Sequence, residues 1–406
     1  MIKEGIRIIE KRIKKLAEEV TPWVIDIRRD IHAHPEIGME EVRTGALLAE
    51  ELRKLDLDEV TTGWVENGVV GVLKGAHPGK TVMLRADIDA IPIQENTGLP
   101  YASTIPGVMH ACGHDGHAAA LLGVAKVLCD LKEHIHGTVK FFFQPSEEIN
   151  DAANDAIKQG VLENPKVDSV LGMHLWGPME KGKVAVRKGA IMAAPCIFKF
   201  KVIGKGGHGS MPETTVDPIA MTCCAINDIN YALGRKFGAF DNFVVSFGGI
   251  QGGREYNVIP EHVDVIGTVR AFDRELIDKI DSVIESILSG VVKGWGGEYE
   301  YDFDKEIPPL FNDPAITQVV KGAAEKMVGV DNVSELENPV MGAEDFCRYA
   351  DVVPSTYFFL GISDDVDNPA LHHSENLFIW DDSVLQTAVE IVSMSAFEIL
   401  DHLNTQ

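Results

Sequence analysis

The stretches TVMLRADIDAIP (81–92), TVKFFFQPSEE (138–148) and SVLGMHLWG (169–177) share one pattern. Each opens on a short apolar run and then breaks abruptly into Asp, Glu or His. Apolar runs of this length suit strands buried on both faces. Helical stretches separate them, such as HAAALLGVAKVLCDL (117–131). Strands alternating with helices predict an α/β fold with a central, mostly parallel sheet. Ligands bind such sheets at the carboxyl ends of the strands. The acids and the histidine fall at those ends three times over.

From about Ala190 to Asp304 the texture changes. CIFKFKVIG (196–204) alternates like a half-buried strand, and VDPIAMTCCAINDINYAL (216–233) follows as a helix, with Asp217 as N-cap and Pro218 at its first position. Two strands come next, NFVVSFGGIQGG (242–253) and HVDVIGTVRAF (262–272), then a helix from near Asp273 and a last strand, GEYEYDFD (297–304). The order β-α-β-β-α-β predicts a ferredoxin-like domain. We place it at 190–304, inserted in a larger domain made of 1–189 and 305–406. KEIPPLFNDP (305–314) reads as the return linker, with hinges near Gly189 and Pro308, and STYFFLGI (355–362) as a strand rejoining the first sheet.

A chain of 406 residues exceeds the roughly 250–300 at which single cores stop growing. Composition is that of a globular protein, 45% hydrophobic and 24% charged. No window approaches the ~20 apolar residues that span a bilayer, so no membrane partner is expected. At the N-terminus Ile6, Ile9, Ile13, Leu16 and Val20 repeat at helical spacing among charges, with no secretory pattern, which predicts an amphipathic surface helix and a cytoplasmic setting. The formal charge is −25 with no basic stripe, so nucleic acid is not an expected partner. The cysteines are scattered without disulfide-scaffold spacing.

One of them, Cys112, sits in MHACGHDGHAAALLG (109–123) with His110, His114 and His117. Thiolate and imidazole are the ligands that borderline metals such as zinc prefer. The cluster points to a metal site completed by ligands from elsewhere in the chain. Glu147 and Glu148 end an apolar strand. Alone, the pair also reads as the opening of a solvated helix. At a metal site, one carboxylate can coordinate while the other takes a proton from water. His174, in GMHLWG, and His372 and His373, in LHHSENLF (371–378), are further candidates, each of which a hydrogen bond could equally satisfy. Asp87 and Asp89 share one face of an extended chain and either orient ligand histidines or cap a turn before Pro92. His208 lies in the glycine-rich GKGGHGSMP (204–212), where it could reach a ligand; Asn257 and Arg270 offer an amide and a guanidinium, the latter suited to a carboxylate.

Together these motifs resemble a family of metal-dependent amidohydrolases and peptidases: bacterial hippurate hydrolases, aminoacylases, some carboxypeptidases and plant hydrolases of indole-acetyl amino acid conjugates. The matching stretches also include RRDIHAHPEIGMEE (28–41), GGREYNVIP (252–260), GTVRAF (267–272) and MGAEDF (341–346), and they run in the family's order. The resemblance implies a metal-binding α/β domain interrupted by a smaller dimerisation, or lid, domain. It implies two divalent metal ions, zinc foremost, with manganese, cobalt or nickel as alternatives. Cys112 would bridge them; His114, Glu148, His174 and His372, the first of the C-terminal pair, would complete the shell. Glu147 would be the general base. His208 would stabilise the oxyanion, reaching the other subunit's site across a dimer. Asn257 and Arg270 would bind substrate, Arg270 through a terminal carboxylate. The assembly would be a homodimer or homotetramer.

The chain departs from the family where Ile149, Asn150, Asp151 and Ala152 replace glycines after QPSEE, where Glu213 replaces a His after GSMP, and where SENLF lacks a proline. No ligand or base is lost. The expected reaction is hydrolysis of the amide bond of an N-acyl-L-amino acid. Dipeptidase or carboxypeptidase action would use the same chemistry. A catalytically silent metabolite- or peptide-binding protein is the alternative outside enzymes, and the intact ligand and base set weighs against it.

Overall fold

The computed structural model describes residues 2–149 and 151–405, with residues 2–7 described for their backbone only. Asn150 and the side chain of Ile6 therefore lie outside the described residues. The chain divides into two compact units. The larger comprises Met1–Gly189, Phe311–Asn338 and Glu344–Gln406; the smaller comprises Ala190–Leu310 and Pro339–Ala343. The return crossing thus falls a few residues beyond 304, and a short strip near 340 joins the smaller unit.

The larger unit opens with α1 (Ile2–Ala33) and α2 (Val42–Arg53). In α1 the residues Ile13, Ala17, Val20, Val24, Ile27 and Ile31 recur every three or four positions and all are buried in the core. It therefore packs one full stripe inward and continues through Pro22. A hairpin, β1 (Glu59–Trp64) and β2 (Gly68–Lys74), leads to β3 (His77–Asp87), α3 (His114–Cys129), β4 (His136–Gln144), the short α4 (Ala152–Lys158), β5 (Ser169–Glu180) and β6 (Val184–Val186). The apolar halves of β3 and β4 are buried, as strands covered on both faces must be.

The smaller unit carries β7 (Ala194–Ile203), α5 (Pro218–Lys236), β8 (Phe243–Gln251), β9 (His262–Ala271), α6 (Arg274–Gly294) and β10 (Glu298–Asp304). Its four strands run in the order β8-β9-β7-β10, all antiparallel. This is the ferredoxin-like arrangement. Asp217 caps α5 by accepting from the amides of Ile219 and Ala220, and Asp273 caps α6 through Leu276. Helix α6 buries Ile277, Ile280, Ile284, Leu288 and Val292, each worth about 1.5–3 kcal/mol when fully removed from water. The strands alternate accordingly, one side facing the helices and the other exposed.

Back in the larger unit come α7 (Pro314–Val328), β11 (Val333–Glu335), the single turn α8 (Cys347–Ala350), β12 (Ser355–Ser363) and α9 (Val384–Asn404). The completed sheet has eight strands in the order β1-β2-β4-β3-β5-β12-β6-β11. Its centre, β4-β3-β5-β12, is parallel throughout. The margins are mixed, with antiparallel β1/β2, β2/β4 and β12/β6 pairs. The expected α/β class holds, and α1, α3, α7 and α9 contribute the apolar residues packed with the sheet in one core. No helix among the described residues is long and apolar enough to cross a membrane.

Candidate metal centre

The carboxyl ends of β3 and β4, the middle of β5 at His174 and the loop after β12 converge on Cys112. Two groups of ligand atoms share that thiol, Cys112/His114/His174 and Cys112/Glu148/His373, each with all its atoms within 4.8 Å of one another. Three backbone features build the cluster. Gly113 has φ +101° as N-cap of α3, so the chain reverses between Cys112 and His114. Such a conformation is open to glycine and strained for other residues. Ser146 and His373, both non-glycine, sit at φ +60°, a strain that costs of order 1–3 kcal/mol and tends to gather at functional sites.

Hydrogen bonds fix which imidazole nitrogen is free. His114 Nδ1 lies 3.0 Å from the carbonyl of Asp89 and 3.1 Å from its carboxylate, so it carries the proton and donates. Its Nε2 is left buried, with no hydrogen-bond partner among the described residues. His174 donates Nδ1–H to the carbonyl of Leu175 at 2.8 Å, and its Nε2 stands 3.5 Å from Cys112 Sγ. Glu148 Oε1 is likewise buried without a hydrogen bond, 3.4 Å from His373 Nε2. His114 Nε2, His174 Nε2, the Cys112 thiol and a Glu148 oxygen thus face one spot, with only the thiol in place to bond an imidazole there, that of His174. Donors of this kind fit a divalent transition metal. Burial and the Glu148 charge push the Cys112 thiol well above its usual range, so its thiolate requires a cation. Burial opposes charge on His114, but Asp87 and Cys112 outweigh it and hold the metal-free imidazole well above its usual range.

Glu147 stands beside this cluster and forms a further group with Glu344 and Asp345. Burial, then the charges of Glu344, Glu148 and Asp345, push its carboxyl well above the ordinary range. A carboxylate so placed accepts a proton readily and holds it long enough to pass it on.

The structure places His373, not the expected His372, among the ligand groups. His372 Nε2 accepts from the amide of Gly177 at 2.9 Å, and its ring packs against Trp176 and Phe378. Burial lowers its pKa to about 3. His117 is also spoken for: Nε2 accepts from the amide of Leu175 and Nδ1–H donates to Asp87. His110 is buried and joins no ligand group among the described residues.

In the smaller unit, His208 and Asn257 lie side by side. Val258 pairs with His208, and the amide of Gly209 donates to the carbonyl of Asn257 at 2.8 Å. Ser210 donates its amide to His208 Nδ1 at 3.2 Å, which puts the ring proton of the neutral imidazole on Nε2, where it can be donated. Arg270 sits on β9 opposite Val244 and Pro195.

The sequence reading passed over Arg85, Glu344 and Asp345. Glu344 and Asp345 stand in MGAEDF, where the available signal is a pair of adjacent acids in a chain segment otherwise without a role.

Residues 83–396 match the model of peptidase family M20/M25/M40. The chain is 38% identical over 382 residues to thermostable carboxypeptidase 1 of Saccharolobus solfataricus, covering 93% of this chain and 95% of that one. It is 40% identical over 307 residues to an N-acyl-L-amino acid amidohydrolase of Geobacillus stearothermophilus, covering 75% and 81%. A solved structure of the Bacillus subtilis YXEP protein, described as a dinuclear metal binding peptidase from the M20 family, superposes with a TM-score of 0.83 at 30% identity, covering 95% and 99%. With its two thiol-sharing ligand groups and the glutamate beside them, the chain is a metal-dependent amide hydrolase belonging to peptidase family M20/M25/M40.

Proposed function

We propose that the chain hydrolyses the amide bond of N-acyl-L-amino acids with two zinc ions held by Cys112, His114, His174, Glu148 and His373. The observation that carries this is the pair of ligand groups meeting at Cys112 with Glu147 beside them. Bound ions would supply Lewis-acid polarisation of the amide carbonyl and an acidified water. Glu147 takes the proton of that water and returns it to the leaving amine. His208, with its proton on Nε2, donates to the developing oxyanion, where one lost donor typically costs ~100–1,000-fold. Arg270 holds the terminal carboxylate, and Asn257 also binds the substrate. The larger unit is the catalytic domain in this reading and the smaller a dimerisation or lid domain. Strand β8 lies at the edge of its sheet with Val244 and Ile250 exposed, which suits pairing with a second copy. The free thiols fit a cytoplasmic setting.

The carboxypeptidase relative supports a second reading, removal of a C-terminal residue from a short peptide. The chemistry is shared, and Arg270 would meet the same carboxylate. The test is amine release from N-acetyl amino acids, N-benzoyl amino acids and dipeptides by zinc-loaded protein, with and without a chelator. Chelator-sensitive release with the N-acyl compounds ahead supports the proposal. Preference for dipeptides moves it to the peptidase, and no release with metal bound removes it.

A further inference from the structure

Arg85 lies on β3, two residues before Asp87, with a side chain 1% exposed. It belongs to none of the ligand groups, yet its guanidinium is almost fully engaged. Nε donates to Gln144 Oε1 at 2.9 Å and Nη1 to Asp87 Oδ2 at 2.7 Å. Nη2 reaches Asp345 Oδ1 at 2.7 Å and Glu344 Oε1 at 3.0 Å. These partners come from three separate parts of the chain.

Two arms leave the guanidinium. On one, Asp87 takes the Nδ1–H of His117 on its other oxygen, and His117 Nε2 accepts from the amide of Leu175. That arm ties together α3, whose first residue is His114, and β5, where His174 precedes Leu175. On the other arm, Asp345 accepts two bonds from Gln144 and one from the amide of Ala153, and its own amide faces Glu147 Oε1 at 3.4 Å. Gln144 ends β4, only three residues before Glu147.

We propose that Arg85 is a positioning residue for amide hydrolysis, its guanidinium holding Glu147 in register with His114 and His174 by bonding Asp345 and Asp87 at once. The inference rests on the function proposed above. Stability alone is a poor reason for such a centre, because well-packed apolar residues usually replace a buried ion pair without loss. Relative placement is a better one, since a shift of about 1 Å at a reacting group can cost ~100-fold in rate. Only a planar fork with several fixed donors can serve both arms; a lysine supplies the charge at a single point.

The experiment compares wild type, Arg85→Lys and Asp345→Asn. Steady-state kinetics on an N-acetyl amino acid are measured at saturating zinc. Zinc binding to chelator-stripped protein is measured by calorimetry. Arg85→Lys is expected to lower kcat by about 10–100-fold and weaken zinc about tenfold, with KM within about threefold of wild type and the zinc stoichiometry kept. A folded Arg85→Lys protein that loses only melting temperature, with kcat and zinc affinity unchanged, overturns the proposal. Should Arg85→Lys not fold, Asp345→Asn decides: lowered kcat at unchanged zinc affinity supports it, and unchanged kcat overturns it. If wild type binds zinc but cleaves no amide, the proposed function fails instead, and zinc affinity in Arg85→Lys alone decides whether the arginine orders the site.

Discussion

The amide of His373 donates to the carbonyl of Ala111 at 2.8 Å, seating it next to Cys112 while its own backbone is held at φ +60°. Its neighbour His372 sits in an aromatic nest, its ring against His174 and Phe378 and its Nε2 bonded to Gly177. His373→Ala should therefore lose the ion shared by Cys112 and Glu148, while His372→Ala keeps it. Elemental analysis of the two variants checks this, and loss of metal in His372→Ala alone would return the role to the first histidine.

Glu147→Gln removes the base and leaves Glu148 in place. Turnover should fall by at least ~100-fold with bound metal unchanged. A variant that retains wild-type kcat with its metal intact would falsify the assignment. Cys112→Ala is the complementary case. It should lower the metal content itself, because both ligand groups lose their common member.

Gly113→Ala tests the reversal that aims Cys112 and His114 at one point. A methyl group at this position meets Phe378 at 3.5 Å and His117 Nε2 at 3.6 Å, which is ordinary contact. The difficulty is the φ of +101° rather than space. A cost of ~1–2 kcal/mol is expected, read as a lower melting temperature together with weaker zinc binding. Equal zinc affinity in the variant would show that the reversal survives without glycine.

Glu41 supplies a pH prediction. Its carboxylate accepts from the amide of Ser146 at 2.7 Å and, through burial first and the charge of Asp89 after it, its pKa is pushed up to about 7. The unfolded value is ordinary, roughly 4.3. The folded chain therefore binds the proton more tightly between these values, and the resulting stability is fully present below about 4.3 and lost as pH rises through 7. Glu41→Gln cannot titrate. The melting temperature of chelator-treated wild type should drop relative to the variant as pH goes from about 5 to 8. Parallel curves across that range would refute the shift.

Much of this architecture was readable because the parallel strands are buried on both faces. TVKFFF and STYFFLGI have no solvent side to encode, so their apolar runs are unbroken until the chain reaches the site. The smaller unit was readable for the opposite reason: its strands alternate and its helices begin at Asp217 and Asp273, which cap them. The antiparallel margin was not. Strand β6 is three residues long and gains its meaning only from its neighbours. His372 and His373 are adjacent histidines that differ in their surroundings, His373 at φ +60° beside Glu148 and His372 bonded to Gly177, and no periodicity records that difference. Arg85 and Asp345 are 260 positions apart, and nothing local to either announces the other.

The order of strands also bears on when the site comes into being. Strand β12 lies between β5 and β6, although β5 and β6 follow one another in the chain. During synthesis the slot between them stays open until the segment Ser355–Ser363 has been made, and His373 emerges later still. A growing chain therefore carries its thiol, its imidazoles and both glutamates without a finished centre. With His373 as a ligand, as proposed, hydrolytic competence would arrive with the last tenth of the polypeptide, and products truncated before it are expected to be inert.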